Sequence, residues 1–132
     1  MATRRERIRS RARGRCEYCG LAEEHSSLPH EVDHIRAKKH RGRTTMDNTC
    51  WSCAYCNSGK GPDAASFDPD TDQLVRLFNP RNDRWLEHFA WDGPILIGLT
   101  SIGRATVELL GINREERIAH RQLLLNAGEL MD

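Results

Sequence analysis

The sequence predicts one α+β domain spanning residues 1–132, and three observations carry that expectation. Two Cys-x-x-C pairs lie far apart in the chain and can be joined only if the segment between them folds back on itself. Short strand-like and helix-like segments alternate without an internal repeat or a low-complexity stretch. Basic and acidic residues are segregated: residues 1–60 carry 13 Lys/Arg against 7 Asp/Glu, while residues 61–132 carry 7 against 12, so a formal net charge of +1 conceals a polarised chain. We therefore read a basic N-terminal helix within 1–15, a cysteine-stapled core at 16–61, and a C-terminal extension of strands and two helices at 62–132.

Residues 3–13 are helix formers with no breaker before Gly14, and Ile8 with Ala12 gives them a narrow apolar stripe. Gly20–Pro29 is a polar turn region. Glu31–Ile35 reads as a short strand with Val32 inward, Lys38–Thr44 as a basic loop, and Cys53–Lys60 as a helix stopped by Gly59 or Gly61 ahead of Pro62. Beyond it come an Asp/Pro turn at Phe67–Asp72, a strand at Gln73–Phe78, a turn at Asn79–Asp83, an aromatic segment at Trp85–Trp91 and a buried strand at Pro94–Leu99. Ser101 is the expected cap of a helix over 102–110, and Asn113, with Glu116, of one over 114–127. The apolar positions of this half pattern as core and scaffold.

No apolar run approaches the roughly 20 residues that span a bilayer, and the arginine-rich N-terminus lacks the apolar segment of a secretory signal, so a cytoplasmic location is expected. Seven arginines fall within the first 15 residues and five basic side chains lie between Arg36 and Arg43. Clustered positive charge of this kind attracts a polyanion, and a nucleic acid is the expected partner.

The five cysteines, Cys16, Cys19, Cys50, Cys53 and Cys56, are odd in number and rich in Cys-x-x-C, which disfavours a disulfide framework. Four thiolates in two pairs instead suit a closed tetrahedral structural zinc. Spacing alone leaves the second pair open, since Cys50 with Cys53 and Cys53 with Cys56 both qualify.

Between and beside the cysteines stand Asp33-His34, Asn48, Asn57 and Lys60. Written out as Glu31-Val32-Asp33-His34-Ile35, Thr44-Thr45-Met46-Asp47-Asn48 and Cys53-Ala54-Tyr55-Cys56-Asn57-Ser58-Gly59-Lys60-Gly61, these residues resemble the HNH endonuclease family over residues 16–61. Phe78-Asn79-Pro80, His88-Phe89 and Gly98-Leu99-Thr100 also resemble a tail that recurs in small bacterial members. The resemblance implies a ββα-metal motif stapled by zinc on Cys16, Cys19, Cys53 and Cys56, because the family places an Asn five residues before its third cysteine, as Asn48 stands to Cys53. It further implies His34 as general base, Asn48 as the residue that orients the His34 loop, and Asp33 with Asn57 as ligands of a catalytic magnesium or manganese. Double-stranded DNA is the implied substrate. Asn57 stands where other members carry a His, Arg41 interrupts a frequent His-Gly-Gly, and Thr49 replaces an apolar residue.

The chemistry agrees with the base and ligand roles. An imidazole with its usual pKa near ~6.5 accepts a proton from water at neutral pH, and a carboxylate with an amide oxygen suits a hard divalent ion. A regular strand turns Asp33 and His34 to opposite faces, so a twist or bulge is expected where they serve one phosphate. Arg4, Arg5, Arg7, Arg36, Lys38, Lys39, Arg41 and Lys60 are the expected nucleic-acid contacts, with His30 and His40 flanking the site. Two non-catalytic readings compete: a zinc-stabilised nucleic-acid-binding module, and a protein-interaction domain that uses zinc only to fold. Neither needs Asp33, His34, Asn48 and Asn57 together.

Overall fold

The computed structural model describes residues 1–129. Helix α1 (Arg4–Arg11) is capped by Thr3, whose Oγ1 accepts the Glu6 amide at 3.1 Å, and it ends where Arg13 and Gly14 both take positive φ, two residues earlier than the sequence suggested. Only Ile8 of its stripe is fully buried. The helix is instead held by its arginines. Arg9 pairs with Glu23, and Arg11 donates to the carbonyls of Met46 (2.8 Å) and Thr49 (2.7 Å). Arg5 reaches the His30 carbonyl and lies over the Trp51 ring.

Strands β1 (Glu31–His34) and β2 (Thr49–Ser52) pair antiparallel with Asp33 opposite Cys50 and His34 opposite Thr49. All four β2 residues are buried, beneath α1 on one side and facing the cysteines on the other, so no polar alternation marked this strand in the sequence. Helix α2 (Ala54–Lys60) follows with Cys53 as its cap, giving strand, strand and helix in the order the sequence implied.

The acidic half adds two hairpins and three helices. Strands β3 (Ala65–Phe67) and β4 (Leu74–Arg76) pair across a turn in which Asp68 is fully buried against Arg104, so the turn begins one residue later than expected. The aromatic segment splits into a single turn, α3 (Trp85–His88), and β5 (Phe89–Asp92), which pairs with β6 (Ile95–Gly98). The expected buried strand at Pro94–Leu99 is half-exposed. Leu96 faces the core, while Ile95, Ile97 and Leu99 face outward, as alternation on a one-sided hairpin requires.

Helix α4 (Ser101–Leu109) is capped by Thr100 rather than Ser101, its Oγ1 accepting the Gly103 amide at 3.0 Å. Helix α5 (Glu115–Asn126) has no side-chain cap. Asn113, expected in that role, bonds the backbone of Leu96 in both directions and so ties α5 to β6.

One core serves both halves. The cysteines, Tyr18 and Leu21 pack with Phe78, Phe89, Leu96, Leu110 and Ile112, and the Trp85 indole donates to the Tyr18 carbonyl at 2.8 Å. Gly59 permits a close approach between the halves: a Cβ there would stand 2.8 Å from the Leu110 carbonyl oxygen, so α2 touches the backbone leaving α4 directly. Among the described residues no helix is long and apolar enough to cross a membrane.

Candidate active site and metal centre

His34 closes β1, where the chain leaves the ladder for the basic loop. Its Nε2 lies 2.8 Å from Thr44 Oγ1, and Nδ1 has no hydrogen-bond partner among the described residues. Partial burial, then the positive charge of Lys38, hold its pKa below the usual histidine value. A neutral imidazole with one nitrogen engaged and the other open is the state in which it accepts a proton.

Asn48 spans the two ends of the loop. Its Oδ1 accepts the Arg36 amide at 2.9 Å, and its Nδ2 donates to the carbonyls of Arg36 (3.0 Å) and Arg43 (2.8 Å). The loop closes tightly: a Cβ on Gly42 would lie 1.7 Å from the Arg36 carbonyl oxygen, so no other residue fits there without moving the backbone. Asn48 thus fixes the segment that brings Thr44 to His34.

Asp33 points inward. Its Oδ2 accepts the Tyr18 hydroxyl at 2.7 Å and its Oδ1 faces Lys60 Nζ at 3.3 Å. Burial raises the carboxyl pKa, and the Lys60 ammonium opposes that shift. Lys60 also donates to the His34 carbonyl at 3.0 Å. It is only 2% exposed, which corrects its expected role as a phosphate contact: the charge faces Asp33, not solvent. His30 is likewise buried and bonds the Leu21 carbonyl, away from any phosphate.

Asn57, on α2, donates from Nδ2 to Glu31 Oε2 at 2.6 Å and so leaves Oδ1 free. Glu31–Asn57 and Asp33–Lys60 are two rungs of one strand-to-helix ladder, built from the i, i+2 period of β1 and the i, i+3 period of α2. The β1 register is regular, without the expected bulge. Asp33, His34 and Asn57 nevertheless line one open cleft of about 310 Å³, with Val32, Lys38 and Gly61 completing its walls.

The four cysteines expected to hold zinc converge. The Sγ atoms of Cys16, Cys19, Cys53 and Cys56 all lie within 4.8 Å of one another, and all four residues are buried. In each pair the second amide donates to the first sulfur, Cys19 to Cys16 and Cys56 to Cys53, both at 3.4 Å. Four soft donors at this spacing fit a tetrahedral zinc. Cys50 stands outside the cluster. Burial, then the neighbouring Asp33, push its thiol pKa well up, so it stays a neutral contact of Tyr18 and Asp33. Tyr18, between the first two cysteines, joins the metal centre to the cleft through its bond to Asp33.

Of the expected nucleic-acid contacts, Arg4, Arg5, Arg7, Arg36, Lys38, Lys39 and Arg41 are exposed. Arg5 and Arg36 also bond carbonyls, of His30 and His40 respectively. The sequence reading missed Tyr18, Glu31, Thr44 and Arg117, whose Nη2 lies 3.1 Å from Cys56 Sγ. Glu31 alone left a signal, two residues before Asp33 on the same side of a strand.

Residues 16–63 match the family model described as HNH endonuclease. Neither the curated proteins nor the solved structures contain a match to the chain.

Proposed function

Because residues 16–63 match the HNH endonuclease family model, we propose that the protein is a metal-dependent endonuclease that hydrolyses phosphodiester bonds of double-stranded DNA. The observation that carries this reading is the open Nδ1 of His34 in a cleft shared with Asp33 and Asn57. His34 takes the proton of the attacking water as its oxygen bonds phosphorus and the ester P–O bond breaks. Thr44 holds the ring, and Asn48 holds the loop that carries Thr44.

Asp33 and Asn57 are the proposed ligands of a magnesium or manganese ion. The donors fit a hard ion: Asn57 Oδ1 is free, and Asp33 Oδ1 keeps lone-pair capacity beyond its 3.3 Å contact with the Lys60 ammonium. Such an ion, when bound, supplies positive charge against the scissile phosphate. Glu31 adds a second carboxylate beside Asn57. Arg4, Arg7, Lys38, Lys39 and Arg41 provide an exposed positive surface for the backbone, contacts that position DNA without reading its sequence. Cys16, Cys19, Cys53 and Cys56 hold a structural zinc whose closed shell leaves no position for water.

A plasmid-nicking assay with and without magnesium tests the reading, with His34→Ala as the control. Magnesium-dependent nicking that disappears in His34→Ala, while zinc content and DNA binding stay intact, is the expected result. DNA binding without cleavage under any divalent ion sinks the enzyme assignment and leaves a binding module. Zinc analysis of Cys50→Ala and Cys56→Ser separates the thiols, the first retaining the metal and the second losing it.

A further inference from the structure

We infer that Arg117 is a functional component of the cysteine metal centre: its guanidinium offsets the negative charge of the thiolates and makes docking of α5 depend on the metal. The inference rests on the reading of the four cysteines as a zinc site and goes beyond it, because it assigns a role to the C-terminal extension.

Arg117 occupies an unfavourable place for a cation. It lies in the first turn of α5, where the helix dipole is positive, and it is 8% exposed. A buried charge requires compensation. Among the described residues Arg117 makes no salt bridge to a carboxylate, although Glu115 and Glu116 are its neighbours in sequence. What it meets is sulfur. Nη2 lies 3.1 Å from Cys56 Sγ and 3.8 Å from Cys53 Sγ, Nη1 donates to the Leu110 carbonyl at 2.9 Å, and the guanidinium sits over the Tyr55 ring.

Arg121, one turn later and also buried, offers the contrast. It donates to three oxygens, those of Pro94, Ile112 and the Asn113 side chain, and needs no sulfur. Arg117 has a single oxygen partner and otherwise faces the metal-binding cysteines. Neutral thiols are weak acceptors and would leave its charge unbalanced. Four thiolates around one divalent zinc carry a net charge of two negatives, against which the Arg117 contact becomes a charge-assisted hydrogen bond. The environment of Arg117 is therefore built for the deprotonated, metal-loaded cluster. Loss of the ion removes the charged centre that Arg117 faces at 3.1 Å and leaves the guanidinium with the Leu110 carbonyl as its oxygen partner among the described residues, which favours release of α5. The cluster gains in return, since an outer donor lowers the charge density on its sulfurs and orients Cys56.

The test uses the full chain reconstituted with zinc, together with Arg117→Met and Arg117→Lys. Metal transfer to a chromogenic chelator and alkylation of the zinc-bound thiolates by iodoacetamide are followed in parallel. Arg117→Met is expected to bind one zinc about 10- to 100-fold more weakly, the usual cost of removing an outer contact, and to be alkylated faster; Arg117→Lys falls between. Equal transfer and alkylation rates for wild type and a folded Arg117→Met overturn the proposal. Should Arg117→Met not fold, hydrogen exchange on the wild-type chain decides. Amides of α5 are expected to lose protection together with those of α2 when zinc is withdrawn, and α5 protection that survives withdrawal overturns the proposal. A wild-type chain that takes up no zinc overturns the metal-centre reading itself, before any variant is made.

Discussion

His34 Nε2 and Thr44 Oγ1, ten residues apart in sequence, meet at 2.8 Å. With the ring N–H donating to the hydroxyl, Nδ1 keeps its lone pair and is the proton acceptor of the proposed mechanism. His34→Ala is expected to lower cleavage by ~10²- to 10⁴-fold while leaving folding and DNA binding intact, and its residual rate should climb with pH as hydroxide replaces the base. Thr44→Val should give a smaller loss that Thr44→Ser restores. A His34→Ala enzyme as fast as wild type in single-turnover assays refutes the assignment.

The pH profile follows from the surroundings of His34. Burial and Lys38 both disfavour imidazolium, so His34 takes up its proton at lower pH than an ordinary histidine. The rate at saturating DNA should accordingly rise as pH climbs through a value under about 6.5 and level off near neutrality. Removing the positive charge in Lys38→Ala raises the His34 pKa and should shift the acid limb to higher pH. A limb that stays in place, or moves lower, argues that the titrating group is not His34.

Lys60 and Asp33 form an ion pair with both side chains almost wholly enclosed. Lys60→Met strands the carboxylate, and breaking a buried pair on one side typically costs about 3–5 kcal/mol. Urea unfolding should report a loss of that order for Lys60→Met and a substantial recovery in the Lys60→Met, Asp33→Asn double variant. Additive losses in the double variant would falsify the idea that the lysine serves chiefly to balance Asp33.

The arginines of α1 divide into two groups that equilibrium binding can separate. Arg4 and Arg7 are exposed, whereas Arg11 secures the helix to β2 and the preceding turn. Arg4→Gln with Arg7→Gln should weaken DNA binding uniformly across sequences and reduce the salt slope by about two, roughly 0.9 for each phosphate no longer neutralised. Thermal stability should hardly change. Arg11→Gln should do the reverse, destabilising the fold with little effect on the salt slope of the folded fraction. Equal salt slopes for wild type and the double variant would place DNA elsewhere.

Much of the metal centre was legible because local spacing carries it. The Cys-x-x-C pairs need no knowledge of what lies across the fold, whereas it was the family resemblance, with Asn48 five residues before Cys53, that chose Cys53 with Cys56 as the second pair. Lys60 was misread for the opposite reason: a lysine in a helix end reads as solvent-facing, and only the packing of α2 on β1 turns it onto Asp33. Strand β2 carried no alternation because both of its faces are covered. Asn113 looked like a helix cap since that is its local preference, yet β6, far upstream, competes for the same side chain with two hydrogen bonds. Arg117 was invisible for the same reason: its partners are 61 and 64 residues away.

The bond from Trp85 to the Tyr18 carbonyl closes a span of 67 residues, and that has a kinetic consequence. Long-range closures slow folding, because the chain must surrender its freedom before the contact rewards it. Zinc on the four cysteines, as proposed, would change the path. Once Cys19 and Cys53 share an ion, the route from Tyr18 to Trp85 runs through the metal and is about half as long, and halving a loop lowers its closure cost by roughly 0.6 kcal/mol. Stopped-flow refolding, followed through tryptophan fluorescence, should therefore be about threefold faster when zinc is present from the start than when it is added afterwards. The ion would then act as a timer of assembly, setting when the aromatic cluster around Trp85 closes.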